Sequence, residues 1–286
     1  MDPTPNTLGI NRFSPSMIMD YEGCPRKFYY ATFLGLRLPQ SMKHLEFGNA
    51  MHSAIGNIYD QYDEETAWLH AEKKLVKQTF KEQFPLSSLD PDERNTKGEK
   101  VYPTEADRVA GWEAMKADGL SIIDSYWDEK EVLLAEHGVC PSRLEIPVKM
   151  EIKNLVTGTP FEIPVSCRLD GENADGSIIE LKTSKNAYDE RETRKSAQSL
   201  TYVLTKFLTL GRIVPLTYVV MRKGVKGPDR IQILRYEYEE ADLFAFMGRI
   251  EAFIEGVRAR NFSKSTVNHP RFCDCAKFDA LFENAL

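Results

Sequence analysis

The spacing of apolar and polar residues changes period about halfway along the chain, and that change predicts the architecture. Ser14-Pro15-Ser16 offers a hydroxyl cap followed by a proline in the first turn, which predicts a helix start. Further helices are predicted over residues 48–62 and, more highly charged, over 64–84. The stretch 85–103 is rich in Ser, Asp, Pro, Lys and Gly and reads as a long exposed loop. Apolar residues recur at helical spacing from 104 to 137, with Trp112, Met115, Ile122, Ile123 and Trp127 on the apolar faces. An aromatic stripe of this kind ordinarily packs into a core.

From residue 138 onward, strands dominate. They are predicted over 143–152, 161–172 and 177–183, followed by a helix over 189–210 that Gly211 ends. A buried strand at 215–221, a Gly-rich turn, a strand at 231–238 and a helix over 240–260 complete the series. The order is helix, three strands, helix, strand, which predicts an α/β fold with a mixed central sheet flanked by helices. The expected organisation is an N-terminal helical region over 1–137, a core over 138–262, and a cysteine-containing tail over 263–286 that packs near the N-terminus. No internal repeat is visible.

Composition narrows the class. With 286 residues and 42% apolar content the chain can bury a real core and is not disordered. It has no apolar run of membrane-spanning length and no basic-then-apolar leader after Met1, so a cytoplasmic protein with no membrane partner is expected. The net charge of −6 argues against a uniformly basic, phosphate-binding surface. Cations are nevertheless grouped locally: Arg191, Arg194 and Lys195 precede Gln198, and Arg222, Lys223, Lys226 and Arg230 surround a predicted turn. Arg26-Lys27 adjoins Phe28-Tyr29-Tyr30, a mixture that suits phosphate contact plus base stacking. Each group also reads as ordinary solvated surface. No G-x-x-x-x-G-K-[ST] loop is present, so any nucleotide-driven motor would be a separate chain.

The sharpest chemistry lies in Arg168-Leu169-Asp170-Gly171 and Ile178-Ile179-Glu180-Leu181-Lys182. Glu180 and Lys182 are two apart in a β-type run and point to the same face. An Asp175-Gly176 pair between the segments favours a tight hairpin, which sets Asp170 beside Glu180. Two carboxylates at one place repel, and a hard divalent cation such as Mg²⁺ or Mn²⁺ relieves that repulsion. A nearby ammonium, here Lys182, can position water and balance developing charge at a phosphodiester. Isolated, the set also reads as a solvated hairpin face. Gln198 and Tyr202 are one helical turn apart, Gly48 and His52 share that spacing, and Glu145 adds an acid on an apolar strand. Taken singly, His52 reads equally as a core histidine, Glu145 as an edge-strand acid, and Tyr202 as core packing.

As an ordered set, Gly48-x-x-x-His52, Glu145, Asp170-Gly171, Glu180-Leu181-Lys182 and Gln198-x-x-x-Tyr202 resemble the RecB-type nuclease family of the PD-(D/E)xK superfamily, over roughly residues 12–275. The resemblance implies a restriction-endonuclease-like αβββαβ core and a Mg²⁺- or Mn²⁺-dependent deoxyribonuclease, more specifically an exonuclease. His52, Asp170 and Glu180 would bind metal, with Glu145 as a further candidate, and Lys182 would be catalytic. Gln198 and Tyr202 would support the site and contact DNA, with Arg26, Lys27, Arg194 and Lys195 as further DNA contacts. Leu169 stands where the superfamily's name has proline. The implied partners are DNA ends, single-stranded or duplex, a protein of a recombination or CRISPR complex, and further copies of this chain. The implied processes are recombination, repair, phage replication or CRISPR adaptation. A catalytically silent DNA-binding subunit is the alternative, as is a nuclease acting on RNA or a flap; a silent subunit would be expected to lack an acid or the lysine.

Five cysteines show no spacing typical of a secreted disulfide scaffold. Many members of the resembling family hold a [4Fe–4S] cluster with one cysteine near the N-terminus and three near the C-terminus. Cys24 suits the first position, and Cys273 and Cys275 form a C-x-C, but no fourth cysteine follows. A cluster ordinarily needs four thiolates, so none is expected, unless His269 completes a site or zinc substitutes. The three cysteines are read as a degenerate clasp joining the termini.

Overall fold

A computed structural model describes residues 8–36, 42–60, 62–63, 68–69, 71–95, 99–265 and 275–282. Ser14 caps α1 (Pro15–Gly23) by accepting from the Met17 amide, as its sequence predicts. Then follow α2 (Pro25–Thr32) and α3 (Lys43–Tyr59). The predicted helix over 64–84 is shorter than expected. Tyr62–Asp63 (β1) pairs with Trp68–Leu69 (β2), and helix resumes only as α4 (Lys73–Gln83). Residues 64–67 and 70 of the predicted helix lie outside the described residues. The stretch 85–103 is not wholly exposed, because Ser88 and Leu89 are buried and Arg108 donates to the carbonyls of Leu86 and Leu89.

The long helix α5 (Glu105–His137) runs between a Thr104/Asp107 capping box and Gly138, whose φ of 62° lies in the left-handed region glycine favours. Strands β3 (Pro141–Met150), β4 (Val165–Asn173) and β5 (Ile178–Ser184) follow as an antiparallel meander. Residues 161–164, predicted as strand, precede β4 as a connection. There the Pro164 carbonyl accepts from the Phe13 amide, and the Ser166 amide donates to the Phe13 carbonyl.

The predicted 189–210 helix is two helices, α6 (Glu190–Arg194) and α7 (Ala197–Leu210). The break is a second cap: Ser196 has extended backbone, and its hydroxyl accepts from the Ser199 amide. Strands β6 (Leu216–Arg222) and β7 (Ile231–Tyr236), then α8 (Glu240–Arg258) and α9 (Cys275–Phe282), complete the described chain.

Among the described residues the main sheet has the order β3-β4-β5-β6-β7, with β5 and β6 parallel and the other pairs antiparallel. The parallel pair requires a crossover, and α6 with α7 supplies it. Alternation along each strand feeds two cores. Ile178, Leu216, Tyr218 and Val220 join Tyr202 and Leu204 of α7 and Phe246 and Phe253 of α8. Ile179, Val219 and Met221 join Phe47 and Met51 of α3, Phe80 of α4 and Ile122 of α5. The mixed sheet therefore lies between two helical layers, as the periodicity implies.

Candidate active site

The turn between β4 and β5 forms as its Asp-Gly pair predicts: Asp175 Oδ1 accepts from the Ser177 amide at 2.9 Å, and Gly176 has φ 85°. Pairing is in register at Gly171–Ile179 and Glu172–Ile178, so one step further Asp170 and Glu180 face one another. Asp170 Oδ2 accepts from the Leu181 amide at 2.9 Å, which anchors that carboxylate against β5.

Around Glu180 the polar groups form a connected set. Lys182 Nζ lies 2.5 Å from Glu180 Oε1, and Gln198 Nε2 donates to the same oxygen at 2.6 Å. Gln198 Nε2 also reaches the Tyr202 hydroxyl at 2.8 Å, so one amide ties α7 to β5 and is itself braced within the helix by the phenol. The Ser196 cap places Gln198 in that first turn. Glu180 is fully buried, and its second oxygen, Oε2, has no hydrogen-bond partner. Burial, reinforced by the Asp170 charge, raises the Glu180 pKa against the lowering effect of Lys182. Burial alone would lower the pKa of Lys182, but the negative field of Glu180 and Asp170 outweighs it and keeps the ammonium charged. Burial likewise holds the Tyr202 phenol neutral.

On the other side of Asp170 lies α3. A Cβ on Gly48 would sit 3.4 Å from Thr183 Oγ1, so the helix runs close over β5. One turn later His52 Nδ1 is 3.7 Å from Asp170 Oδ2. The register of β3 with β4 sets Glu145 across from Asp170. Glu145 has φ 49°, an uncommon conformation for a residue with a Cβ. One ligand atom from each of His52, Glu145 and Asp170 lies within 4.8 Å of the others. Glu180 stands outside this trio, with its Oε1 engaged by Lys182 and Gln198. Nitrogen and carboxylate donors, two adjacent acids and an unpartnered buried carboxylate oxygen make a donor set that fits a hard divalent cation.

The trio opens into a cleft of about 660 Å³. Its α3 wall is a polar stripe of Asn49, Ser53, Asn57 and Asp60, and Arg168 closes the rim while pairing with Glu145 at 3.4 Å. Sequence reading did not single out these five residues for this cleft. The available signal was polar residues at four-residue intervals on an otherwise apolar helix, but isolated Asn and Ser positions of that kind are common.

The outlying candidates are placed differently. Arg194 pairs with Asp242 at 3.1 Å and lies over the Tyr238 ring, and the Lys195 carbonyl accepts from Arg249, so this corner fastens α6 to α8. Arg26 donates to the Tyr30 hydroxyl on α2, where Lys27 is half-buried. Cys24 and Cys275 share a small buried cluster with Tyr30 and Phe278, whereas Cys273 lies outside the described residues. No described helix is long and apolar enough to cross a membrane.

Comparison with known proteins agrees with the site's chemistry. No curated protein matches the sequence. Among solved structures, a Eubacterium rectale protein described as a "putative exonuclease" is similar in fold, with a TM-score of 0.52 at 13% identity, covering 94% of this chain and 88% of that one. A second, SSO0001, overlaps with a TM-score of only 0.34 at 12% identity, covering 86% of this chain and 76% of that one. The sequence model of the PD-(D/E)XK nuclease superfamily, whose members generally use divalent metals and act on nucleic acid, matches residues 12–278, and the chain belongs to that superfamily.

Proposed function

We propose that the protein is a Mg²⁺- or Mn²⁺-dependent deoxyribonuclease of the RecB type that works on DNA ends. The observation that supports this reading most is the convergence of His52, Glu145 and Asp170 ligand atoms beside the Glu180–Lys182 pair. In this reading His52, Asp170 and Glu145 hold the cation, and Glu180 offers its unpartnered Oε2. The cation, when bound, supplies polarisation of a phosphoryl oxygen and a lowered pKa for an attacking water. Lys182 orients that water and offsets the negative charge that develops on the phosphate. Gln198 and Tyr202 keep Glu180 and Lys182 in register. Arg168 and the α3 stripe border the space where the scissile phosphate enters. Both acids, the lysine and the histidine are present, which favours turnover over a silent binding subunit. The preference for ends, and a role in DNA processing such as repair, recombination, phage replication or CRISPR adaptation, rest on the ordered motif set.

The test is a time course on end-labelled linear and closed circular DNA with Mn²⁺, Mg²⁺ or chelator, comparing the intact protein with Lys182→Ala. Metal-dependent cleavage of linear DNA, lost in the variant and sparing circles, is expected. Cleavage that survives in the variant would remove Lys182 from the site, and cutting of circles would replace the end-dependent reading with an endonuclease.

A further inference from the structure

A second cleft, of about 740 Å³, lies between α2 and the segment that follows α8, and shares no lining residue with the cleft around His52 and Asp170. Arg26, Tyr29, Phe33, Arg260, Asn261 and Phe262 line it. We infer that it is a subsite for one nucleotide of single-stranded DNA, with the phosphate against Arg26 and Arg260 and the base against the half-buried ring cluster of Tyr29, Phe33 and Phe262 that lines it.

The aromatic residues here divide into two groups. Tyr21 and Phe28 meet Phe253 edge to face, and Phe28 and Phe253 are buried, which accounts for them as packing between the N-terminal helices and α8. Tyr29, Phe33 and Phe262 are only half-buried and line open space. Tyr29 stacks on Phe262 at 4.9 Å between centroids and on Phe33 at 5.9 Å, and Phe33 meets Phe262 at 5.2 Å with a tilt of 49°, so the three rings form a preformed aromatic cluster. Every base has a π-face, and aromatic rings beside cations are the usual way a protein holds a single strand without reading its sequence.

The backbone of Arg260 supplies an independent argument. Just beyond α8 it takes φ 54°, and the Asn261 amide donates to the Gly256 carbonyl at 2.9 Å, so the residue occupies a helix-ending position that glycine fills best. An arginine there carries a conformational cost, and an observed outlier of this kind points to a use for the side chain. Its guanidinium lies 5.1 Å over the Phe33 ring, at the edge of the cluster. The Arg26 amide is bound to the Ser263 carbonyl at 3.2 Å, which fixes the two walls of the cleft relative to each other. Two guanidiniums flanking a ring cluster suit a nucleotide, whose anionic phosphate and flat base are joined by a short sugar.

This inference rests on the nuclease reading for the identity of the ligand, but its test does not use the cleavage site. Anisotropy of a fluorescein-labelled thymidine octanucleotide would be measured in EDTA with the intact protein, Arg260→Gly and Tyr29→Leu. Arg260→Gly should change Tm little, because relief of the φ 54° backbone offsets the lost contact with Phe33, and should weaken octanucleotide binding at least tenfold; Tyr29→Leu should weaken it similarly. An octanucleotide carrying 5-iododeoxyuridine should photo-crosslink to the peptides containing Tyr29 or Phe262. Equal affinity in all three proteins, or crosslinks only elsewhere, would overturn the subsite. So would thymidine monophosphate competing as well as the octanucleotide, which would mark a free-nucleotide pocket. Failure of the nuclease reading is recognised separately, as absence of Lys182-dependent cleavage whatever the octanucleotide affinity.

Discussion

Gln198 donates to Glu180 across 2.6 Å, and through that one contact the first turn of α7 fixes a carboxylate on β5. Replacing Gln198 by Ala leaves Glu180 Oε1 with Lys182 alone and frees the Tyr202 hydroxyl. A hydrogen bond to a charged group contributes about 1.5–3 kcal/mol. The expected result is a ten- to hundredfold lower cleavage rate at saturating metal with only a modest fall in Tm. An unchanged rate would show that Lys182 alone orients Glu180.

Cation binding should appear as added stability. A ligand at about 100 times its Kd stabilises the folded state by about 2.7 kcal/mol, which for a chain of this size corresponds to about 5 °C in Tm. Mn²⁺ should raise Tm of the intact protein accordingly, and Asp170→Asn should abolish most of the increase. The buried Glu180 carboxyl has a raised pKa, so it retains its proton to higher pH than an ordinary carboxylate. A proton there competes with the cation, and the apparent Mn²⁺ affinity should therefore rise as pH rises above the ordinary carboxylate range. Calorimetric titration at several pH values checks the sign; affinity independent of pH would exclude Glu180 from the metal's coordination.

How much of this was legible in the sequence depended on how local the signal was. The Asp175-Gly176 turn, the Ser14 cap and the same-face relation of Glu180 and Lys182 are set by neighbouring residues and appear as expected. The break at Ser196 was hidden, because Lys195-Ser196 continues a helical pattern, and only the cap geometry shows that a new helix begins there. The trio of His52, Glu145 and Asp170 joins one helix to two strands. Sequence order suggested the histidine and Asp170, with Glu145 as a further candidate, but that Glu145 meets Asp170 follows from the β3–β4 register, which periodicity alone does not specify. The same holds for Gly119: a Cβ there would lie 2.2 Å from Phe80 Cζ, a contact between helices that no local pattern announces.

Glu145 offers a test that separates stability from metal binding. Its φ of 49° is strained for any residue with a Cβ. Glu145→Gly removes the strain, so the unfolding free energy of the metal-free protein should stay level or rise, by up to about 1 kcal/mol. Because the variant loses one of three converging ligands, Mn²⁺ affinity should fall at least tenfold, as read by the metal-induced Tm shift. A variant that is less stable but binds metal normally would make Glu145 a structural residue.

Lys206 on α7 and Glu172 on β4 form a pair at 2.5 Å in which both side chains are about nine-tenths buried. Glu172 lies two residues from Asp170, so the pair holds the strand that carries the site. Truncating one partner of a buried pair leaves a desolvated charge and costs about 3–5 kcal/mol. Arg143, 3.6 Å from Glu172, offsets part of that loss, so Lys206→Met is expected near the lower end, about 3 kcal/mol by urea denaturation. Replacing both, Lys206→Met with Glu172→Met, should recover most of it, since an apolar pair of similar volume avoids the desolvation penalty. The double variant should also keep metal-dependent cleavage, because neither side chain reaches the trio or Lys182. Recovered stability without recovered cleavage would instead tie the charge of Glu172 to the electrostatics around Asp170.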